Sequence, residues 1–192
     1  MSTLDDAAHV HADERATWRA WLEANHATAH GAWLVTWRSG SARDGLGYEA
    51  AVEEALCFGW VDSTGGHVDE ERAKLYFAPR KPHSSWAASN KARVERLIGE
   101  GRMAPAGLAA IERARANGSW EILDTVERLE VPEDLAAALE IRPPAAVNFA
   151  AFPPSARKML LGWVALARRP ATRAARIAEI AEAAARNERA RA

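Results

Sequence analysis

The chain reads as an α+β protein, with a small mixed or antiparallel sheet and helices in the N-terminal half and an all-helical C-terminal module. Three observations predict this. Alternating apolar residues are confined to the first eighty or so positions. Apolar residues at helical spacing lie between and before these stretches. Beyond Pro82, proline and glycine punctuate one helical segment after another. With 192 residues, the chain can bury a core without disulfide or metal staples. It does so either as two domains, 1–102 and 103–192, or as one compact domain.

Taken in order, the opening MSTLDDAAHVHA has no periodic apolar signal and is expected to be a mobile lead-in. Asp13 to Asn25 places Trp18, Trp21 and Leu22 at i, i+3, i+4, which predicts a helix with an aromatic face. Ala32 to Arg38 alternates Trp33, Val35 and Trp37 against Leu34 and Thr36, as a strand does. Ser39 to Gly47 is a glycine-bearing loop. Tyr48, Ala51, Val52, Ala55 and Leu56 then follow helical spacing, with Glu49, Glu53 and Glu54 on other faces. Gly59 stops that helix, and Trp60 to Asp62 forms a short extended segment before a turn at Gly65-Gly66. Ala73 to Ala78 predicts the next strand. Pro79 and Pro82 bracket a loop, and Ser84 or Ser85 caps a helix to Gly99 on which Trp86, Asn90, Val94 and Leu97 share a face. Helices follow from Pro105 to Asn117, over 120–129, 132–139 and 145–152, after Pro154, and from Thr172 to Asn187, with fraying expected from Glu188 to Ala192.

Composition narrows the function classes. A single cysteine, Cys57, excludes an internal disulfide and suits a reducing compartment. No apolar run reaches signal-peptide or membrane-span length, so a soluble cytoplasmic protein is expected. The net charge of −1 conceals four alternating blocks. Residues 1–78 hold 6 basic and 13 acidic side chains, 79–102 hold 6 and 2, 103–153 hold 4 and 8, and 154–192 hold 9 and 3. Internal complementarity between the blocks is the expected use of such a pattern. A nucleic-acid surface built from Lys91, Arg93, Arg96, Arg168, Arg169, Arg173 and Arg176 is the less favoured alternative. No phosphate loop or metal-ligand spacing is present: His26 and His30 straddle an expected helix end, and His9 and His11 lie in the lead-in. Neither a cofactor nor a metal is therefore expected.

Two neighbouring motifs concentrate chemistry. EEALCFGWVD, from Glu53 to Asp62, and YFAPRKPHSSWAASNK, from Tyr76 to Lys91, bring indoles, a thiol, a carboxylate, cations and an amide into some forty residues. Cys57 sits near a helix C-terminus, where the dipole disfavours a thiolate, and reads as a core residue. Asp62 follows Trp60 by two, so an extended segment sets carboxylate and indole on one face, where desolvation would suit acid/base work. It could equally cap the glycine turn or pair with Arg80. Arg80 offers a bidentate fork for a carboxylate or phosphate, or an internal ion pair. Asn90 either ties backbone in the proline loop or projects into an aromatic pocket formed by Trp60, Phe77 and Trp86. Ser84 and Ser85 beside His83 lack a third catalytic member and are better explained as caps.

The stretches EEALCFGWVDS, FAPRKPHSSWAASNKARVERLIGEGRMAPAGLAAI and FPPSARKMLLGWVALARRPATRAARI resemble the YdeI/OmpD-associated (OmdA-like) family, often labelled bacteriocin-protection proteins. The family's ALCFGWID pattern falls on Ala55 to Asp62, with Val61 for isoleucine. Its PRRxxSxWSxxN pattern falls on Pro79, Arg80, Lys81, Ser84 or Ser85, Trp86 and Asn90, with Ala87 in place of the usual hydroxyl. Its C-terminal pattern falls on Pro154, Ser155, Arg157, Lys158, Trp163, Arg168, Arg169, Pro170, Thr172, Arg173 and Ile177. The resemblance implies a bacterial cytoplasmic α+β protein with a helical C-terminal module and a role in stress tolerance or defence, without naming a reaction. The expected activity is binding of a small or peptide-like ligand in an aromatic-lined pocket, with Trp60, Asp62, Phe77, Arg80, Trp86 and Asn90 as candidate ligand-binding residues. The alternatives are a small enzyme using Asp62 as general acid/base, and a nucleic-acid binder. Eight tryptophans leave room for a homodimer surface.

Overall fold

The computed structural model describes residues 4, 6–38 and 40–190, and contains four strands and nine helices among them. The chain divides into two compact units, Met1–Ser84 with Ser89–Ser119, and Ser85–Ala88 with Trp120–Ala192.

In the first unit the sheet is mixed. Its strands are β1 (Ala8–His11), β2 (Ala32–Trp37), β3 (Trp60–His67) and β4 (Arg72–Pro79), in the order β1-β2-β4-β3. β1 runs parallel to β2, while β4 lies antiparallel to both β2 and β3. The expected mobile lead-in is thus corrected: Ala8 to His11 form an edge strand, and Ala12 N–H continues the pairing onto Val35 O at 3.2 Å. Four mainly exposed residues with two histidines give too little apolar alternation to show this in the sequence. The glycine pair also behaves differently from expectation. β3 runs through Gly65 and Gly66 to His67, with a register shift between Asp62 and Gly65, and the reversal falls at residues 68–71.

Helices α1 (Arg15–Asn25) and α2 (Tyr48–Cys57) cover one face of this sheet. The aromatic face read from α1 carries the packing. Trp18 stacks on Trp21 at 5.3 Å, meets Phe77 of β4 at 5.3 Å and donates its indole N–H to Ala51 O at 3.1 Å. Trp21 meets Trp60 edge-on at 5.8 Å, and Trp60 donates to His26 O at 3.3 Å. The indoles of Trp18 and Trp60, both fully buried, therefore have their polar handles satisfied. Gly59, at φ +74°, ends α2 as expected and turns the chain into β3.

Helix α3 (Ala88–Gly99) starts later than the serines suggested, so Trp86 precedes it. Val94 and Leu97 are its buried residues. α4 (Pro105–Ala116), with proline in its first turn and Gly118 just past its end, follows the predicted limits and packs on α2. A Cβ at Gly107 would lie 2.2 Å from Cys57 O.

The second unit holds α5 (Asp124–Glu127), α6 (Glu133–Glu140), α7 (Ala145–Ala151), α8 (Pro154–Ala165) and α9 (Pro170–Ala185). Leu135, Leu139, Phe149, Leu160, Val164, Ile180 and Ala184 form its core. Trp86 joins this unit through its 5.0 Å contact with Trp120. Ala190 is buried in the same core rather than frayed, while Arg191 and Ala192 lie outside the described residues.

Candidate functional site

A concavity of the first unit lies between the helix-covered face of the sheet and the start of α2. Pairing Leu34 with Leu75 and Thr36 with Ala73 lays these side chains along one face. Opposite Leu75 stands Gly65, which contributes no side chain. The space left there is walled by α2 at Ala51 and roofed by Gly40, Ser41 and residues 43–47, giving a crevice of about 780 Å³. Leu34, Ala51 and Leu46 are buried at its base, while Arg38, Arg43, Asp44 and Tyr48 stand exposed at its edge.

The roof is held down at one point. A Cβ on Gly45 would come within 2.6 Å of Thr36 Oγ1 and 2.9 Å of Trp37 N, so only glycine permits this approach. Thr36 Oγ1 adds a hydrogen bond to Leu46 O at 3.3 Å. Ser41 Oγ donates to Arg43 O at 2.8 Å, and the Arg43 guanidinium lies 4.5 Å from the Trp37 ring centre, a cation–π arrangement.

None of Trp60, Asp62, Phe77, Arg80, Trp86 or Asn90 lines this crevice. Two of the six are linked to its edge. Tyr48 Oη donates to Asp62 Oδ2 at 3.0 Å, and burial, then that hydrogen bond and the carboxylate charge, raise the phenol pKa. Beside it, Glu49 receives both Arg93 Nε and Nη2, at 2.8 and 2.7 Å, while Arg93 Nη1 donates to Asn90 Oδ1 at 2.9 Å. Asn90 is half-buried, and the proline loop is tied instead by Asn117 Nδ2 donating to Pro82 O at 2.7 Å. Trp60 and Phe77 are wholly buried in the first unit, and Trp86 belongs to the second. Arg80 is buried, and desolvation pushes its pKa down to about 10 against the opposing pull of Asp62.

A charged cluster on α2, away from the apolar spacing of Ala51, Val52, Ala55 and Leu56, is buried. Glu53 and Glu54 are 4 % and 1 % exposed. Glu53 receives Arg15 at 2.8 Å and Arg102 at 3.4 Å as well as Arg96, and Glu54 receives Arg19 at 2.8 Å and Arg15 at 3.3 Å as well as Arg102. Burial alone would raise the Glu53 pKa, but hydrogen bonds from Arg96 and Arg15 outweigh it and hold the carboxyl below its ordinary range. Cys57, one turn on, is fully buried, and desolvation followed by the Glu54 charge raises its thiol pKa against a hydrogen bond from Arg19. It is a core thiol, as its place near the helix end implied.

The charge blocks therefore meet inside each unit. Arg93, Arg96 and Arg102 face Glu49, Glu53 and Glu54 in the first. Lys158 faces Glu127, and Arg173 faces Asp134, in the second. Among the described residues no helix is long and apolar enough to cross a membrane, and no group of three or more His, Cys, Asp or Glu is arranged to hold a metal ion.

Residues 10–110 match the family model described as Domain of unknown function (DUF8412), more than half of the chain. Residues 128–187 match the model described as Bacteriocin-protection, YdeI or OmpD-Associated. The chain belongs to the DUF8412 family, and its residues 128–187 carry the likeness to the YdeI/OmpD-associated domain. The YdeI/OmpD-associated match lies wholly within the second unit. Every residue lining the crevice lies instead within the DUF8412 match. No curated protein and no solved structure matches the chain.

Proposed function

We propose that this YdeI/OmpD-associated protein is a cytoplasmic small-molecule-binding protein serving bacterial stress tolerance or defence, and that its ligand occupies the crevice between the sheet and α2. The crevice itself carries this reading. It has the volume of a metabolite site, apolar walls at Leu34, Leu46, Leu75 and Ala51, and a few polar groups gathered at one edge. Its aromatic members are Trp37 and Tyr48. Asp62 and Asn90 support the edge through Tyr48 and the Glu49–Arg93 pair, while Trp60 and Phe77 hold the sheet against α1 beneath it. The description of the second family as bacteriocin protection supports the defence setting.

The test is a thermal-shift and native mass-spectrometry screen of metabolites and antibiotics on wild type and Gly65→Leu. A Cβ at Gly65 meets only ordinary contacts, Lys74 O at 3.6 Å and Leu75 Cδ1 at 3.8 Å, so the leucine fills the crevice without backbone strain. Ligands that bind wild type and not the variant support the site. Equal binding to both proteins removes it.

One observation favours a second reading, in which Asp62 acts as a general acid or base. Asp62 is a half-buried residue outside the crevice lining whose carboxylate receives a proton donor from that lining, Tyr48 Oη, at 3.0 Å. On this reading, a ligand bound by both wild type and Asp62→Asn is converted only by wild type. Unchanged ligand after incubation with wild type, followed by mass spectrometry, rejects it.

A further inference from the structure

The geometry points to an amphipathic carboxylate as the ligand class of the crevice: an apolar body of roughly medium-chain length with one anionic end held by Arg38 and Arg43. This rests on the crevice being a binding site, and adds which chemistry it selects.

Among the arginines of the first unit, Arg72 pairs with Asp69 at 2.6 Å. Arg15, Arg19, Arg93, Arg96 and Arg102 all face carboxylates of the same chain within ion-pair distance. Arg38 and Arg43 do not: among the described residues, neither forms an ion pair with a carboxylate. Arg38 Nη1 donates to the backbone oxygen of Glu70 at 3.0 Å, which leaves its charge uncompensated. The Arg43 guanidinium lies over Trp37, an arrangement that orients the plane without neutralising it. Arg38 and Arg43 both line the crevice. The other charged lining residues are Asp44 and Lys74, and the Lys74 ammonium is engaged 4.3 Å from the Trp33 ring. The balance at the mouth is therefore cationic.

Behind the mouth the character reverses. Leu34, Leu46, Leu75 and Ala51 offer apolar surface, and the lining hydroxyls of Thr36, Ser41 and Tyr48 already donate to Leu46 O, Arg43 O and Asp62. A ligand polar along its whole length would strand its groups against these side chains. An apolar tail ending in a carboxylate satisfies both regions, since the planar guanidinium forks match a carboxylate edge in geometry and charge. A primary amine of the same length would set like charges at the mouth.

The experiment uses the full chain with octanoate, octanol and octylamine as matched probes, followed by calorimetric titration. Octanoate is expected to bind at least about tenfold more tightly than octanol, the amount one charge-assisted hydrogen bond contributes. Octylamine is expected to bind weakest. Arg38→Gln and Arg43→Gln should each weaken octanoate about tenfold while leaving octanol unchanged. Arg43→Lys, which keeps the charge and loses the fork, should fall between. Gly65→Leu should abolish both octanoate and octanol binding. Octanol binding as tightly as octanoate, or octanoate binding unchanged in both glutamine variants, overturns the carboxylate preference and leaves the crevice standing as a site. Octanoate bound equally by wild type and Gly65→Leu, or not bound at all by wild type, overturns the inference, and the screen with Gly65→Leu then decides whether the crevice binds anything else.

Discussion

At the scale of single residues, the chain spends its strongest polar interactions on Glu53 and Glu54. A carboxylate almost fully withdrawn from water is tolerated only where charge-assisted hydrogen bonds replace its hydration, and here four arginines from three other segments supply them. Glu54→Ala would leave Arg15, Arg19 and Arg102 repelling one another around a cavity. The expected loss is about 2–4 kcal/mol, below the fully buried limit because the arginines remain partly solvated. Urea denaturation monitored by tryptophan fluorescence checks it. The pH dependence has a definite sign. The folded-state pKa of Glu53 lies below its ordinary value, so its contribution is present above about pH 4.3 and is lost as pH falls through the lowered folded-state value. Glu53→Gln should be less stable than wild type at pH 7, and the gap should narrow as acid removes the wild-type advantage. A constant gap from pH 7 to pH 3 would show that the shift is not carried by this residue.

At the scale of elements, two glycines set distances that no other residue could. Gly107 lets α4 close on the end of α2, since a Cβ there would lie 2.2 Å from Cys57 O and 2.7 Å from Met103 Cε. Gly107→Ala is expected to cost about 1–3 kcal/mol through overpacking against backbone. Gly45→Ala should cost a similar amount and also loosen the crevice roof, since its new methyl would meet Trp37 N at 2.9 Å. Thermal melts read the first effect, and ligand titration separates the second. What the sequence disclosed at this scale follows from how local each signal is. The alternation of Ala32 to Trp37, the helical spacing of Trp18, Trp21 and Leu22, and the Pro105 and Gly118 limits of α4 are all decided by neighbours a few residues apart, and they read through. The edge strand Ala8–His11 did not, because its order comes from pairing with β2, more than twenty residues on. The helical spacing sets Glu53 and Glu54 on faces other than the apolar one and does not disclose their burial. The distant arginines Arg15, Arg19, Arg96 and Arg102 together make their burial possible. The crevice was equally hidden, since it needs a missing side chain at Gly65, a close approach at Gly45 and the first turn of α2 together.

For the whole molecule, the chain order and the spatial grouping do not coincide. Ser85–Ala88 leaves the first unit, contributes Trp86 to the second, and the chain then returns to the first as α3. Trp86→Ala should therefore destabilise a unit whose remaining residues begin at Trp120, by about 3–5 kcal/mol for an indole that is 1 % exposed. Loss of near-ultraviolet dichroism at lower urea than wild type would show it. The charge cluster on α2 has a related consequence for how the protein is made. Arg15 and Arg19 leave the ribosome before the two glutamates, whereas Arg96 and Arg102 leave more than forty residues after them. A nascent chain that stops short of Arg96 carries Glu53 and Glu54 of α2 with only half of their cations. The sheet and its crevice thus depend on charges supplied last, and a ribosome-bound chain ending at residue 95 is expected to remain protease-sensitive.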